Sequence, residues 1–169
     1  MTTGLIHKRT TINPINCIYC VNCPAKLYVK NDISLGFGNL YADKIIIVPT
    51  YSLEYNKIGN YISAIKILQD RIPNLNENYY ITRDAKCYVP QYNINNDIGK
   101  YCSWILNKEL SRLKAKYIFA FGDVDLSYIH KLILNRYKIK RYYNPYCLVV
   151  GNDYVKKQFE EQLKEMESL

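Results

Sequence analysis

The chain has 169 residues, 49% of them apolar, enough to bury one well-packed domain and short for two. Lysine and arginine outnumber acids by 23 to 15, and the net charge of +8 favours a polyanionic partner such as nucleic acid, although charge can also serve solubility alone. No apolar run approaches the roughly 20 residues needed to span a bilayer, and the opening MTTGLIHKRTT has no hydrophobic signal core, so no membrane partner and an intracellular location are expected. Abundant Asn, Ile, Lys and Tyr with few Gly and Ala is the composition an AT-rich genome produces, as in a virus or phage.

In chain order, the first informative segment is Cys17-Ile-Tyr-Cys20-Val-Asn-Cys23-Pro24, two overlapping Cys-x-x-Cys pairs. Cys87 and Cys102 follow far downstream, and Cys147 stands apart. One ion or cluster needs about four soft ligands converging on it, so these thiolates read as one metal centre. A disulfide framework is the alternative for a secreted chain, but no secretory signal precedes these residues. Cysteines kept only as small apolar residues would not need the Cys-x-x-Cys spacing.

Lys44-Ile-Ile-Ile-Val-Pro49 is a short β-branched run bounded by turn residues, as a buried parallel strand should be. Tyr79-Tyr-Ile-Thr82 and Lys116-Tyr-Ile-Phe-Ala-Phe-Gly122 read the same way, and a fourth short strand is expected at 138–143. Helical patterns lie between them. Residues 59–71 place Ile62, Ile65, Ile67 and Leu68 near one face, and 97–113 repeats Ile98, Tyr101, Cys102, Ile105 and Leu110. A helix over 125–136 carries Ile129, Leu132 and Ile133, and the last, from Asp153, puts Val155, Phe159, Leu163 and Met166 on one stripe. Strands alternating with helices predict an α/β fold: a three-layer α/β/α sandwich with a four-stranded parallel sheet. One domain spans 1–169, with 1–40 as a metal-anchored N-terminal segment.

Ligands of such open sheets bind beyond the carboxyl ends of the strands, here Pro49-Thr50, Arg83-Asp84, Gly122-Asp123 and Asn144-Pro145. Lys131, Arg136, Lys138, Lys140 and Arg141 also cluster around Tyr137, Tyr142 and Tyr143, a mixture that suits a phosphate backbone with adjacent bases. A solvated basic loop with partly buried tyrosines has the same composition.

These pieces, in this order, resemble the iron–sulfur uracil-DNA glycosylases, family 4 of that superfamily, over residues 17 to 165. The matching features are Cys20-Val-Asn-Cys23-Pro24, Gly36-Phe-Gly38, the strand Lys44 to Val48, Lys86-Cys87 after the second strand, Cys102 on the next helix, and LKAKYIFAFG ending at Gly122. The resemblance implies a uracil-DNA glycosylase-like fold and a structural four-iron four-sulfur cluster held by Cys20, Cys23, Cys87 and Cys102. Cys17 is an alternative ligand. Four thiolates suit cluster iron, and zinc in a tetrahedral site satisfies the same spacing.

The base-excising apparatus of that family is altered here. Its members bind an extruded uracil, stack an aromatic ring on it and polarise water and the departing base. After the first strand this chain reads Pro49-Thr50-Tyr51-Ser52-Leu53, so Thr50 stands where the family has an acid. The stacking phenylalanine is missing from a shortened loop, leaving Tyr51 or Tyr55 as substitutes. Arg83 aligns with the uracil-reading asparagine, and its guanidinium has only donors where an amide has both donor and acceptor. The His-Pro-Ser motif is Asn144-Pro145-Tyr146. Asn144 retains a donor for a leaving base, and Asp84 or Asp123 can orient water.

The resulting expectation is a DNA-binding iron–sulfur protein in replication or repair, catalytically impaired or inactive, contacting DNA through Arg83, Tyr51, Tyr55, Lys138, Lys140 and Arg141. Other replication or repair proteins are candidate partners. The alternatives are an active glycosylase working through Asn144 and Thr50, and a protein-binding subunit without a DNA role.

Overall fold

The computed structural model describes residues 6–7, 11–12, 20, 22–23, 33–49, 53–55, 61–86 and 98–169. Its main sheet is built around Lys44–Val48 (β5), where Ile45, Ile46, Ile47 and Val48 are wholly buried. An uninterrupted β-branched run is what a strand covered on both faces requires. Tyr80–Arg83 (β8) pairs parallel with it on one side and Tyr117–Phe121 (β9) on the other, while Lys138–Tyr142 (β10) pairs parallel with β9. The four expected strands are therefore present and mutually parallel.

The sheet is mixed and six-stranded, with Ile6–His7 (β1) and Phe37–Asn39 (β4) added in the order β1-β4-β8-β5-β9-β10, rather than four-stranded. β4 runs antiparallel to β8, and β1 runs antiparallel to β4. Both are too short to carry strand periodicity, and β4 is interrupted by Gly38. Gly38 has φ +98°, and a Cβ there would stand 2.4 Å from the Tyr79 carbonyl oxygen; at Gly36 a Cβ would meet the Tyr80 hydroxyl at 2.3 Å. The Gly36-Phe-Gly38 spacing thus lets this segment lie directly on β8. Two small ribbons stand apart from the main sheet: Thr11–Ile12 (β2) with Ile33–Ser34 (β3), and Leu53–Tyr55 (β6) with Tyr61–Ser63 (β7).

Alternate strand residues face opposite cores. Ile46, Val48, Ile81, Phe119, Phe121 and Tyr142 pack with Ala64–Arg71 (α1), with Leu75 of the short Leu75–Asn78 helix (α2), and with Phe159, Leu163 and Met166 of Asp153–Ser168 (α6). Ile45, Ile47, Tyr80, Ile118 and Ala120 pack with Leu106 and Leu110 of Ile98–Arg112 (α3) and with Val124, Leu126 and Ile129. Helices thus cover both faces. Asn152 caps α6 by accepting from the Val155 N–H at 2.9 Å, and the Lys44 ammonium donates to the Met166 and Glu167 carbonyls at its far end. Among the described residues no helix is long and apolar enough to cross a membrane.

Two expected helices are shorter than their periodicity suggests. The first starts at Ala64 instead of 59, because Tyr61 and Ile62, both good strand formers, pair with β6. The helix expected at 125–136 shrinks to Lys131–Leu134 (α4). Asp125 accepts from the Ser127 N–H, and His130 accepts from the Leu132 N–H, so side-chain bonds to the backbone replace the helical ladder. A further short helix, Cys147–Val150 (α5), follows β10.

The outer strand β10 explains much of the basic cluster. An exposed sheet edge invites pairing with other chains, and lysines on it discourage this. Lys140 pairs with Glu165 at 2.8 Å, and Tyr142 donates to the same carboxylate at 3.0 Å. The Lys140 hydrogen bond, followed by that of Tyr142, holds the Glu165 carboxyl below its usual pKa. A depressed carboxyl stabilises the fold above its unfolded value, and this is lost as pH falls through the folded value. Wild type and Lys140→Met are therefore expected to differ in urea midpoint at neutral pH and to converge as the pH drops below the ordinary value of 4.5.

Candidate functional site

The strand order reverses between β5 and β9, so the crevice beyond their carboxyl ends is the natural ligand site. Val48-Pro49, Gly122-Asp123, Arg83-Asp84 and Asn144 reach it from four successive strands. Gly122 leaves β9 with φ +61°, and a Cβ there would lie 3.0 Å from the Asn144 Cβ and 3.1 Å from its Nδ2. The missing side chain is what lets Asn144 fold over the strand end. Gly122→Ala would combine left-handed backbone strain with this collision, so a loss of about 1–2 kcal/mol is expected in urea unfolding. An unchanged midpoint would argue against the close approach.

Asn144 Oδ1 accepts from the Tyr146 N–H at 3.1 Å. Its carbonyl oxygen is engaged locally, leaving the amide Nδ2 as the group able to address a ligand. Asp84 is buried, its backbone N–H reaching the Val48 carbonyl at 3.3 Å and its carboxylate accepting from the Ala85 N–H at 2.6 Å. These bonds use Asp84 to shape the turn after β8. Asp123 is exposed beside Gly122, and Arg83 is half-buried at the end of β8. The structure thus brings Arg83, Asp84, Asp123 and Asn144 to one end of the sheet. Thr50 and Tyr51 lie outside the described residues, and Tyr55 is described only as backbone of β6.

The basic cluster does not form the expected platform. Tyr137 and Tyr142 belong to the two cores and only Tyr143 is exposed, so two of the three rings cannot stack on bases. Arg141 donates to the Val124 carbonyl at 2.9 Å, Arg136 donates to Ser111 and Leu113 carbonyls, and Lys138 lies 5.7 Å from the Tyr117 ring centre. Together with the Lys140–Glu165 pair, these contacts give the cluster a structural task.

Of the expected metal ligands, Cys20, Cys23 and Cys102 are buried, and no disulfide joins the described cysteines. The Cys23 N–H bonds to the Cys20 carbonyl at 3.1 Å, making the tight turn that a Cys-x-x-Cys pair needs to aim two thiols together. Cys102 Sγ accepts from the Lys86 N–H at 3.4 Å, which sets the helix cysteine against the turn leading to Cys87. Cys17 and Cys87 lie outside the described residues. Among the described residues, no three His, Cys, Asp or Glu side chains form a metal-holding group.

Beside Cys102 lies a network that sequence reading missed. The Lys86 ammonium, fully buried, donates to Glu109 Oε2 at 2.7 Å and also to the Thr82 hydroxyl. Thr82 in turn donates to Glu109 Oε2 at 2.7 Å, and the Gly36 N–H donates to Oε1 at 2.9 Å. One carboxylate therefore ties β8, the 84–86 turn, α3 and the Gly36 segment together. The signal was an acid within the buried stripe Cys102, Ile105, Leu106, Glu109, Leu110 and Leu113, where only a paired charge is tolerated. A separate cavity of about 420 Å³ opens at the other end of the sheet, lined by Leu35, Leu40, Tyr80, Glu109 and Arg112 among others, and is remote from the strand carboxyl ends.

No protein-family model matches this chain, and no curated protein matches it.

Proposed function

We propose that the protein is a DNA-binding iron–sulfur protein on a uracil-DNA glycosylase-like scaffold, a three-layer α/β/α sandwich that no longer excises bases. The observation that carries this reading is the Lys86 N–H to Cys102 Sγ bond, which sets the 84–86 turn after the second parallel strand, one residue before Cys87 in sequence, against the helix cysteine. This proximity supports a centre shared by the segment after the second strand and the helix that follows it. Cys20, Cys23, Cys87 and Cys102 would hold a four-iron four-sulfur cluster, with Cys17 as the alternative ligand and zinc as the alternative metal. The group would supply structural anchoring of the N-terminal segment, and the N–H to sulfur bond would help balance its negative charge.

The chemistry of the strand ends supports the loss of excision. Arg83 has no acceptor with which to read uracil, and Asn144 has committed its oxygen to Tyr146. Asp84, the acid nearest to Arg83 in the chain, is spent on the turn. What remains is a cationic scaffold of net charge +8. Its contacts with DNA should be dominated by phosphates. Fluorescence anisotropy with labelled single- and double-stranded oligonucleotides tests this: affinity should fall steeply and log-linearly as salt rises. Absence of binding at low salt would refute the DNA reading and favour a protein-binding subunit.

A further inference from the structure

Helix α3 presents a second feature to solvent. Lys100, Trp104, Lys108 and Arg112 recur every four residues, so they form one stripe along the helix, and all four are exposed. Trp104, the only tryptophan in the chain, is 53% exposed, and the Lys108 ammonium sits 5.6 Å from its ring centre. An indole of this size normally goes inside; here Ile105, Leu106 and Leu110 fill the buried face instead. The one acid of α3, Glu109, is turned inward to Lys86. The solvent face of the helix is therefore cationic along its whole length with a large ring in the middle.

Neighbouring elements extend this face. Asn107 donates to the Tyr128 carbonyl at 3.3 Å and accepts from the His130 N–H at 2.9 Å, which docks the 128–130 loop against α3. That loop presents Tyr128, 38% exposed, and leads to exposed Lys131 and Leu132. Asp125, the nearest acid of the loop, accepts from the Ser127 N–H.

We infer that this stripe is a binding track for single-stranded DNA, with Trp104 stacking on a base while Lys100, Lys108 and Arg112 follow the phosphates. The stripe is about 18 Å long, at 1.5 Å per residue, room for a few unstacked nucleotides. A duplex hides its base faces, so stacking on Trp104 requires unpaired bases. An acidic peptide helix would need an apolar groove, whereas the stripe itself is a convex helix face on which Trp104 is flanked by cations, with Tyr128 on the neighbouring loop. The inference rests on the DNA-binding reading and adds to it a strand preference and a second surface, the outer face of α3.

The sole tryptophan makes the test direct. The full chain is titrated with dT12, with a duplex of equal length and with poly-glutamate, following Trp104 emission and, separately, anisotropy of labelled DNA. The expected results are quenching by dT12 but not by duplex, and weakening of dT12 binding by about tenfold in Trp104→Ala and less in Trp104→Phe. Lys108→Gln should flatten the log-salt slope by about 1. If dT12 binds by anisotropy while Trp104 emission and the Trp104→Ala affinity are unchanged, the track is refuted and the DNA reading survives. If no DNA binds, both fall. Quenching by poly-glutamate equal to that by dT12 would overturn the track in favour of an acidic protein partner.

Discussion

Glu109→Ala is expected to destabilise the protein by about 3–5 kcal/mol, because it leaves the ammonium of Lys86 buried without a counter-charge. Lys86 has no exposed side-chain surface and Glu109 only 9%, so water cannot replace the lost carboxylate. The same truncation strips acceptors from the Thr82 hydroxyl and the Gly36 N–H. Glu109→Gln keeps an acceptor but not the charge, and should cost nearly as much. The double change Lys86→Met with Glu109→Met removes both charges and should recover most of the loss, since apolar replacement of a buried pair is often neutral. Urea unfolding of the three variants checks this. A loss below about 1 kcal/mol in Glu109→Ala would contradict a buried pair at this position.

Under the proposed four-cysteine centre, Cys102→Ser should abolish metal binding. If Cys102 is one of four ligands, the bound iron should fall from about four atoms per chain to below one. The remaining thiolates would have to hold the group with a hydroxyl that neither matches sulfur in softness nor accepts the Lys86 N–H at the same distance. Because a structural centre contributes its binding energy to folding, the N-terminal segment should also become protease-sensitive. Cys147→Ser is the control. Burial pushes that thiol up to about 11, so it is protonated at neutral pH and makes a poor ligand. Metal content should be unaffected by it. Iron and acid-labile sulfide analysis after anaerobic purification reads both variants, and retention of iron in Cys102→Ser would remove this cysteine from the centre. Zinc without iron in the wild type would replace the cluster with a zinc site.

The strands were legible because their chemistry is local. Ile45 to Val48 and Ile118 to Phe121 can only be buried on both faces, and that continuous apolar character implies parallel pairing. β4 was not legible, since Gly36 and Gly38 erase the alternation and their role depends on Tyr79 and Tyr80 far along the chain. The helix expected at 125–136 failed because Asp125 and His130 bond to nearby backbone, which an apolar count does not register. At the site, the strand-end residues Arg83, Asp84, Asp123 and Asn144 followed from topology alone. The basic cluster misled, because Lys138, Lys140 and Arg141 on an edge strand flanked by tyrosines have the same composition as a nucleic-acid platform. Tyr142 turns into the core on one face of β10 and Tyr137 into the opposite core, and only Tyr143 stays outside. Glu109 was visible as an acid in an apolar stripe, but its partner lies 23 residues away in sequence and on another element.

A glycosylase-like scaffold that has lost excision, as proposed, should leave uracil in DNA untouched. Incubation of the purified protein with uracil-containing single- and double-stranded DNA, followed by alkali to break abasic sites, tests it most directly. The expected result is intact DNA at protein in excess, under salt conditions where binding is measured. Strand cleavage by wild type that disappears in Asn144→Ala or Thr50→Ala would contradict the account and establish an active glycosylase.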